Sequence, residues 1–108
     1  MKTLNLVLKH KWYNMIDRGE KPEEYREIKP YWTKRLTDYN NIHKWFEDIY
    51  KRKFNVSIPH RYTHVCFHKG YTSTTMTFEI NRIVIGTGNP EWGAPDKPVF
   101  IIKLGQRV

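Results

Sequence analysis

The chain has 108 residues, of which 39% are hydrophobic and 15% aromatic, and it carries a formal net charge of +8. This length and aromatic content exclude a disordered polypeptide and allow a core without metals or disulfides. No apolar run could span a bilayer, the N-terminal residues lack a signal-peptide core, and the single cysteine, Cys66, excludes an internal disulfide. We therefore expect one domain over residues 1–108, located in the cytoplasm, with no membrane contact and no cofactor.

The N-terminal segment changes its hydrophobic period at Lys9. Thr3–Leu8 alternates polar and apolar residues, which predicts a strand. Trp12, Met15 and Ile16 then follow the i, i+3, i+4 spacing of a short helix. Gly19 stands where a glycine would end that helix.

A second strand and a helical region are predicted next. Glu24–Ile28 reads as a short strand closed by Pro30. Tyr31–Lys53 then carries helical spacing in two pieces. The first piece pairs Trp32 with Leu36, and the second runs through Ile42, Trp45, Phe46 and Ile49.

The second half of the chain reads as β structure. Strands are predicted over Thr63–His68, Thr74–Ile85 and Val99–Leu104, and the Gly/Pro-rich loop Gly86–Pro98 separates the last two. A change of register within the long strand indicates a bulge near Asn81-Arg82. The fold class is therefore α+β, with a curved, barrel-like sheet and two to three short helices.

The excess of basic residues favours a polyanionic partner. Each Lys or Arg placed on a phosphate releases a condensed counterion. The run Lys51-Arg52-Lys53 with His60-Arg61 could extend such a surface, although a charge run is more often a solvated helix end. Nucleic acid or a nucleotide is the partner class that this charge indicates.

The most informative segment runs from Gly19 to Arg26. It places a lysine, Lys21, in a turn and a glutamate and an arginine, Glu24 and Arg26, two residues apart on a strand. Side chains at i and i+2 leave a strand on the same face, so the carboxylate can orient the guanidinium toward a phosphate or a base edge. Gly19 permits a positive φ angle and a close approach of backbone to ligand. The alternative is that Glu24 and Arg26 form a scaffold ion pair.

This segment has the G-x-K-x-x-E-x-R pattern and resembles the signature of ASCH domains, which belong to the PUA-like superfamily. The C-terminal half is similar to the same family in its strand order, in Gly70-Tyr71 and in Pro90-Glu91-Trp92-Gly93 before the last strand. The resemblance covers nearly the whole chain. It implies a PUA-like curved mixed sheet or pseudo-barrel, and an RNA-binding module whose site includes Gly19, Lys21, Glu24 and Arg26.

Two aromatic residues are the leading candidates for stacking on a base. Trp92 lies in a polar loop where no hydrophobic period predicts its burial, and Tyr71 follows Gly70 at a strand end. Trp32, in contrast, shares an apolar stripe with Leu36 and is predicted to be core. We therefore add Tyr71 and Trp92 to the predicted nucleotide-binding residues.

A zinc site on the first strand of the second half is not predicted. His64, Cys66 and His68 alternate and share a face, with His60 nearby. Three adjacent ligands on one strand give poor tetrahedral geometry, so we expect no metal. Val65 and Phe67 are instead expected to face the core.

An enzyme is the alternative to a binding module. Some small bacterial ASCH proteins act as amidohydrolases on acetylated cytidine through a Lys, a Thr and a Glu, and others look like ribonucleases. The resemblance would then make Lys21 and Glu24 catalytic, although Glu24 stands where the amidohydrolases have their threonine. A third possibility is a protein-interaction role for the basic surface. The sequence does not indicate the oligomeric state.

Overall fold

The computed structural model describes residues 2–37 and 57–108. The predicted helix through Ile42 and Trp45, and the basic run Lys51-Arg52-Lys53, lie outside these residues. The elements in chain order are β1 (Thr3–Leu8), α1 (His10–Asp17), β2 (Glu23–Arg26), α2 (Pro30–Leu36), β3 (His64–Lys69), β4 (Thr75–Thr87) and β5 (Pro98–Arg107). A short 3-10 turn, Pro90–Trp92, lies between β4 and β5.

The five strands form one mixed sheet in the order β1-β3-β4-β5-β2. β1 pairs with β3 in parallel, and the other three pairs are antiparallel. The sheet curls into a half-barrel, so its two edge strands, β1 and β2, approach each other on one side. The predicted α+β class and curved sheet are confirmed at this level.

The predicted bulge in the long strand is confirmed. The pairing of β4 with β5 shifts register between Phe78 and Ile80 and again between Ile80 and Arg82. Beyond the shift, three consecutive residues, Ile83, Val84 and Ile85, are buried because both faces of the sheet are covered there. Ile83 and Ile85 belong to the main core, whereas Val84 packs in a second cluster with Tyr25 and Ala94.

The first helix differs from its prediction in the face that it buries. α1 buries Tyr13 and Ile16, whereas Trp12, which was assigned to the apolar stripe, is only partly buried. The predicted end of the helix is confirmed, because Gly19 has a φ of 80° and its N–H donates to the Ile16 carbonyl at 3.0 Å. The Trp12 ring lies instead beside Lys21 and Gly93.

The segment after β2 also differs from the prediction. β2 ends at Arg26 rather than Ile28, and Pro30 is the first residue of α2, where its missing N–H leaves no donor unsatisfied. Val65 and Phe67 of β3 are fully buried, as the sequence predicted. In the part of the chain described here, no helix is both long and apolar enough to cross a membrane.

Candidate functional site

A groove of about 610 Å³ lies between the two edge strands of the sheet. It is bordered by residues 5–9 in and after β1, residues 24–27 in and after β2, the first turns of α1 and α2, and the Trp92-Gly93 turn. Among residues 2–37 and 57–108, five Lys or Arg side chains and two Glu side chains line it, and these seven carry a net charge of +3. Trp12, Trp32 and Trp92, the tryptophans of the described residues, border it as well.

Lys21 lies at the buried side of this groove. Its Nζ is 3.0 Å from Glu24 Oε1, donates a hydrogen bond to the Trp92 carbonyl, and lies 4.6 Å from the centre of the Tyr25 ring. The residue is only 2% exposed, so Lys21 is an oriented internal cation and not the flexible surface charge that a lysine in a turn commonly is. Burial lowers the pKa of Lys21, and the neighbouring Glu24 carboxylate partly offsets that effect.

The depressed pKa of Lys21 predicts an alkaline stability difference between the wild type and Lys21→Met. Above the folded-state pKa and below the unfolded value, about 10.5, the unfolded chain binds more protons than the folded chain. The free energy of unfolding of the wild type should therefore rise with pH in this window relative to that of Lys21→Met. Denaturant titrations of both proteins between about pH 7 and pH 11 measure the difference and cancel the other titrating groups. A flat difference, or one that falls with pH, would contradict the shift.

Glu24 holds the two cations of the motif together. Its Oε1 accepts from Lys21 Nζ and from the Tyr25 backbone N–H at 2.9 Å, and its Oε2 accepts from Arg26 Nη1 at 2.9 Å. The expectation that Glu24 and Arg26 share a face is confirmed by this last distance. Arg26 Nη1 also donates to the Tyr25 carbonyl at 2.8 Å, so the two side chains cap the edge of their own strand.

Arg26 connects the buried cluster to the open part of the groove. Its side chain is 17% exposed, its guanidinium carbon lies 5.2 Å from the centre of the Trp32 ring, and its Nη2 is 3.4 Å from the Val7 carbonyl across the groove. The Glu24 carboxylate fixes one side of the planar guanidinium. The other side is held toward the groove, which is the arrangement used to recognise a phosphate or a base edge.

Trp32 and its neighbours form an aromatic and basic wall at the entrance. The Tyr31 and Trp32 rings meet edge to face with centres 4.8 Å apart. The Arg35 guanidinium lies over both rings, at 5.3 Å from Tyr31 and 5.7 Å from Trp32. Tyr31 is 56% exposed, so this wall offers a ring face and a cation to solvent.

The loop that carries Trp92 is anchored on Tyr25. The Tyr25 hydroxyl donates to Glu23 Oε2 at 2.7 Å and accepts from the Asn89 N–H at 3.1 Å. A Cβ atom added at Gly88 would overlap the Tyr25 ring, so only glycine allows the loop to lie this close. Burial and the Glu23 carboxylate raise the pKa of Tyr25, which keeps the phenol protonated as a donor.

The structure brings four of the six predicted binding residues to the groove: Lys21, Glu24, Arg26 and Trp92. Gly19 takes the predicted positive φ, but it shapes the turn before the groove and does not border it. Tyr71 is fully exposed and also lies outside the groove lining.

Trp12 and Trp32 are groove residues that the sequence does not indicate, because each falls on an apolar helix stripe. Both are only partly buried and border the groove, and the Trp32 ring also packs against the main core. The signal that could have identified them is the basic residue beside each ring. Lys11 Nζ lies 4.6 Å from the Trp12 ring, and Arg35 lies one turn from Trp32.

The two histidines of β3 make separate contacts on the face away from the core. His68 Nε2 lies 3.0 Å from Asn5 Oδ1, and His64 Nδ1 lies 2.8 Å from Thr63 Oγ1. Over residues 2–37 and 57–108, no group of three His, Cys, Asp or Glu side chains is arranged to hold a metal ion.

No protein family, no curated protein and no solved structure matches this chain. The groove and the motif that borders it are therefore the features of the chain that bear on its function.

Proposed function

We propose that this chain is an RNA- or nucleotide-binding module of the PUA-like ASCH type, with its ligand in the groove between β1 and β2. The observation that carries the proposal is Arg26, which is held by Glu24 at 2.9 Å and lies against the Trp32 ring at 5.2 Å. An oriented guanidinium beside an indole offers a phosphate contact and a stacking surface a few ångströms apart, which are the two contacts that a nucleotide makes.

The composition of the groove supports a single-stranded ligand. Tryptophan and tyrosine rings stack on any base, and the net charge of +3 attracts the phosphate backbone. In a duplex the base faces are already stacked, so they cannot use such rings. Recognition by rings and charges tolerates most sequences, so we expect affinities for different bases to stay within about tenfold of each other.

The contacts of the motif favour binding over hydrolysis. Both oxygens of Glu24 accept charged or backbone donors, and Lys21 Nζ is engaged by Glu24 and by the Trp92 carbonyl. A general base needs a lone pair directed at the substrate, and an electrostatic stabiliser needs a free donor. Glu24 uses three of its about four lone-pair sites and Lys21 two of its three N–H donors, and the two residues are only 4% and 2% exposed, so neither group is directed freely at a ligand.

Binding of single-stranded oligomers should depend strongly on salt. If Arg26, Lys29 and Arg35 contact two or three phosphates, raising the salt from 50 to 200 mM should weaken binding by about 7- to 20-fold. Fluorescence anisotropy with labelled RNA and DNA pentamers measures this slope, and a thermal-shift screen with nucleosides and nucleotides identifies smaller ligands. An affinity that is unchanged over this salt range would contradict the phosphate contacts.

A further inference from the structure

The outer edge of β1 presents its backbone to the groove at Asn5 and Val7. In a parallel pair, the N–H and C=O groups of alternate residues point to opposite sides of the strand. The carbonyls of Lys2 and Leu8 accept from the β3 side, from Thr63 N at 2.9 Å and Gly70 N at 2.8 Å. Even-numbered residues of β1 therefore face β3. Odd-numbered residues face away from it, as the contact of the Val7 carbonyl with Arg26 shows.

The facing edge of β2 is closed, in contrast. The Tyr25 N–H donates to Glu24 Oε1 and the Tyr25 carbonyl accepts from Arg26 Nη1, so both backbone groups are satisfied by neighbouring side chains. Proteins commonly protect edge strands in this way, because an open edge is a template for further hydrogen bonds. Within residues 2–37 and 57–108, the 3.4 Å contact from Arg26 to Val7 is the one hydrogen bond to the outer edge of Asn5–Val7.

We infer that this open edge of β1 reads the base of the bound nucleotide by backbone hydrogen bonds, an inference that rests on the proposed nucleotide-binding function. The Asn5 carbonyl and the Val7 N–H are neighbours on the edge, so an acceptor stands beside a donor. The Watson–Crick edge of every base also carries a donor beside an acceptor, and single-stranded nucleic acid leaves that edge free. The order of donor and acceptor in A and C is opposite to that in G and U, so a fixed pair of backbone groups can distinguish them. The Asn5 side chain contacts His68 on the neighbouring strand, so the backbone is the part of Asn5 that serves the groove.

The surroundings of the edge favour a nucleotide over an extended peptide. A peptide could add a strand to the same edge. The groove wall, however, carries a net charge of +3 and three indole rings, which suit a phosphate and a base plane. Arg26 contacts the Val7 carbonyl as well as facing the open groove, so one side chain can hold the phosphate while the adjacent backbone meets the base.

A proline at position 7 tests the inference, because it removes the outward N–H and leaves the bonds between β1 and β3 in place. Thr3→Pro is the matched control, since Thr3 presents its N–H to the same edge but does not line the groove. Anisotropy would be measured with pentamers of A, C, G and U and with an abasic pentamer. The wild type and Thr3→Pro should distinguish the four bases by about two- to tenfold, with the abasic pentamer weakest. Val7→Pro should reduce this spread to less than about twofold and keep the salt dependence.

The other outcomes of these titrations contradict either the base-reading role of the β1 edge or the proposed function. If Val7→Pro keeps the spread of the wild type, the edge does not read a base and the proposed function stands. If the wild type binds the abasic pentamer as tightly as the others, the groove contacts no base at all, and both the inference and the stacking contact of the proposed function fail. If no pentamer binds, the proposed function fails and the inference with it. Binding of an acidic peptide that Val7→Pro abolishes, without binding of pentamers, would identify a peptide-binding edge instead.

A second measurement uses only the wild type, in case Val7→Pro does not fold as judged by circular dichroism. Methylation of the Watson–Crick nitrogen, as in N3-methyluridine, blocks the edge of the base but keeps its stacking face. The methylated uridine pentamer should bind about two- to tenfold more weakly than the unmethylated one. Equal affinities would overturn the inference.

Discussion

Replacing Glu24 with glutamine should lower the free energy of unfolding by about 3–5 kcal/mol, because it leaves the Lys21 ammonium buried without an anion. The two side chains are 6% and 1% exposed, and their charged atoms are 3.0 Å apart. Glutamine has nearly the same shape, so the loss would reflect charge and not a cavity. For a domain of this size, whose total stability is about 5–15 kcal/mol, the effect is large.

The double variant Glu24→Gln/Lys21→Met distinguishes the cost of removing one charge of the ion pair from the cost of removing both. A buried ion pair replaced by uncharged groups of similar volume is often nearly neutral, so the second substitution should restore at least half of the lost stability. Glu27→Gln is the matched control, since Glu27 also borders the groove but is exposed. Its effect should stay within about 0.5 kcal/mol. Denaturant titration of the four proteins gives these differences. If Glu24→Gln unfolds at the same denaturant concentration as the wild type, Lys21 is either a neutral amine in the folded protein or has water or another anion beside it.

The strands could be predicted from the sequence because their signals are local. Thr3–Leu8 alternates along its whole length, and the structure places β1 at these residues. The long strand shifts its apolar register where the structure has its bulge. The signal for the first turn is local as well, because a glycine directly after a helix predicts a positive φ and Gly19 adopts one.

The burial of Lys21 could not be predicted, because its partners come from distant parts of the chain. The Trp92 carbonyl lies 71 residues away in sequence. The loop reaches Lys21 because Tyr25 anchors it at Asn89. A lysine between a glutamate and a proline would be predicted to be exposed to solvent. Nothing in this local sequence indicates that the Trp92 loop covers it.

The groove itself could not be predicted either, because its walls also come from separate parts of the fold. It forms where β1 and β2, neighbours in sequence but opposite edges of the sheet, are brought together by the curl. Local patterns assign Trp12 and Trp32 to helices but do not show which strand edge each helix faces. The motif residues Lys21, Glu24 and Arg26 could be predicted to border a binding site, and they do border the groove. The tryptophans that line it are brought there by the curl of the sheet, which local patterns do not reveal.

Arg26→Ala should weaken binding of single-stranded oligomers by about 10- to 100-fold, which is the usual loss for a hydrogen bond to a charged partner. It should also reduce the salt slope by about one phosphate contact. The cost in stability should be small, about 1 kcal/mol, because Glu24 keeps Lys21 and the Tyr25 N–H as partners when Arg26 is removed. The carboxylate would therefore not be left buried and unpaired.

Arg18→Ala and Arg26→Lys distinguish this result from a general loss of charge. Arg18 pairs with Glu20 at 3.0 Å on the exposed surface outside the groove, so its removal changes the net charge equally and should leave binding within about twofold of the wild type. Arg26→Lys keeps the charge but loses the planar fork that Glu24 orients, so its affinity should fall between those of the wild type and Arg26→Ala. Anisotropy titrations and thermal melts of one preparation give affinity and stability independently. A large fall in melting temperature, with full affinity in the folded fraction, would make Arg26 a scaffold residue and would remove the observation on which the proposed function depends.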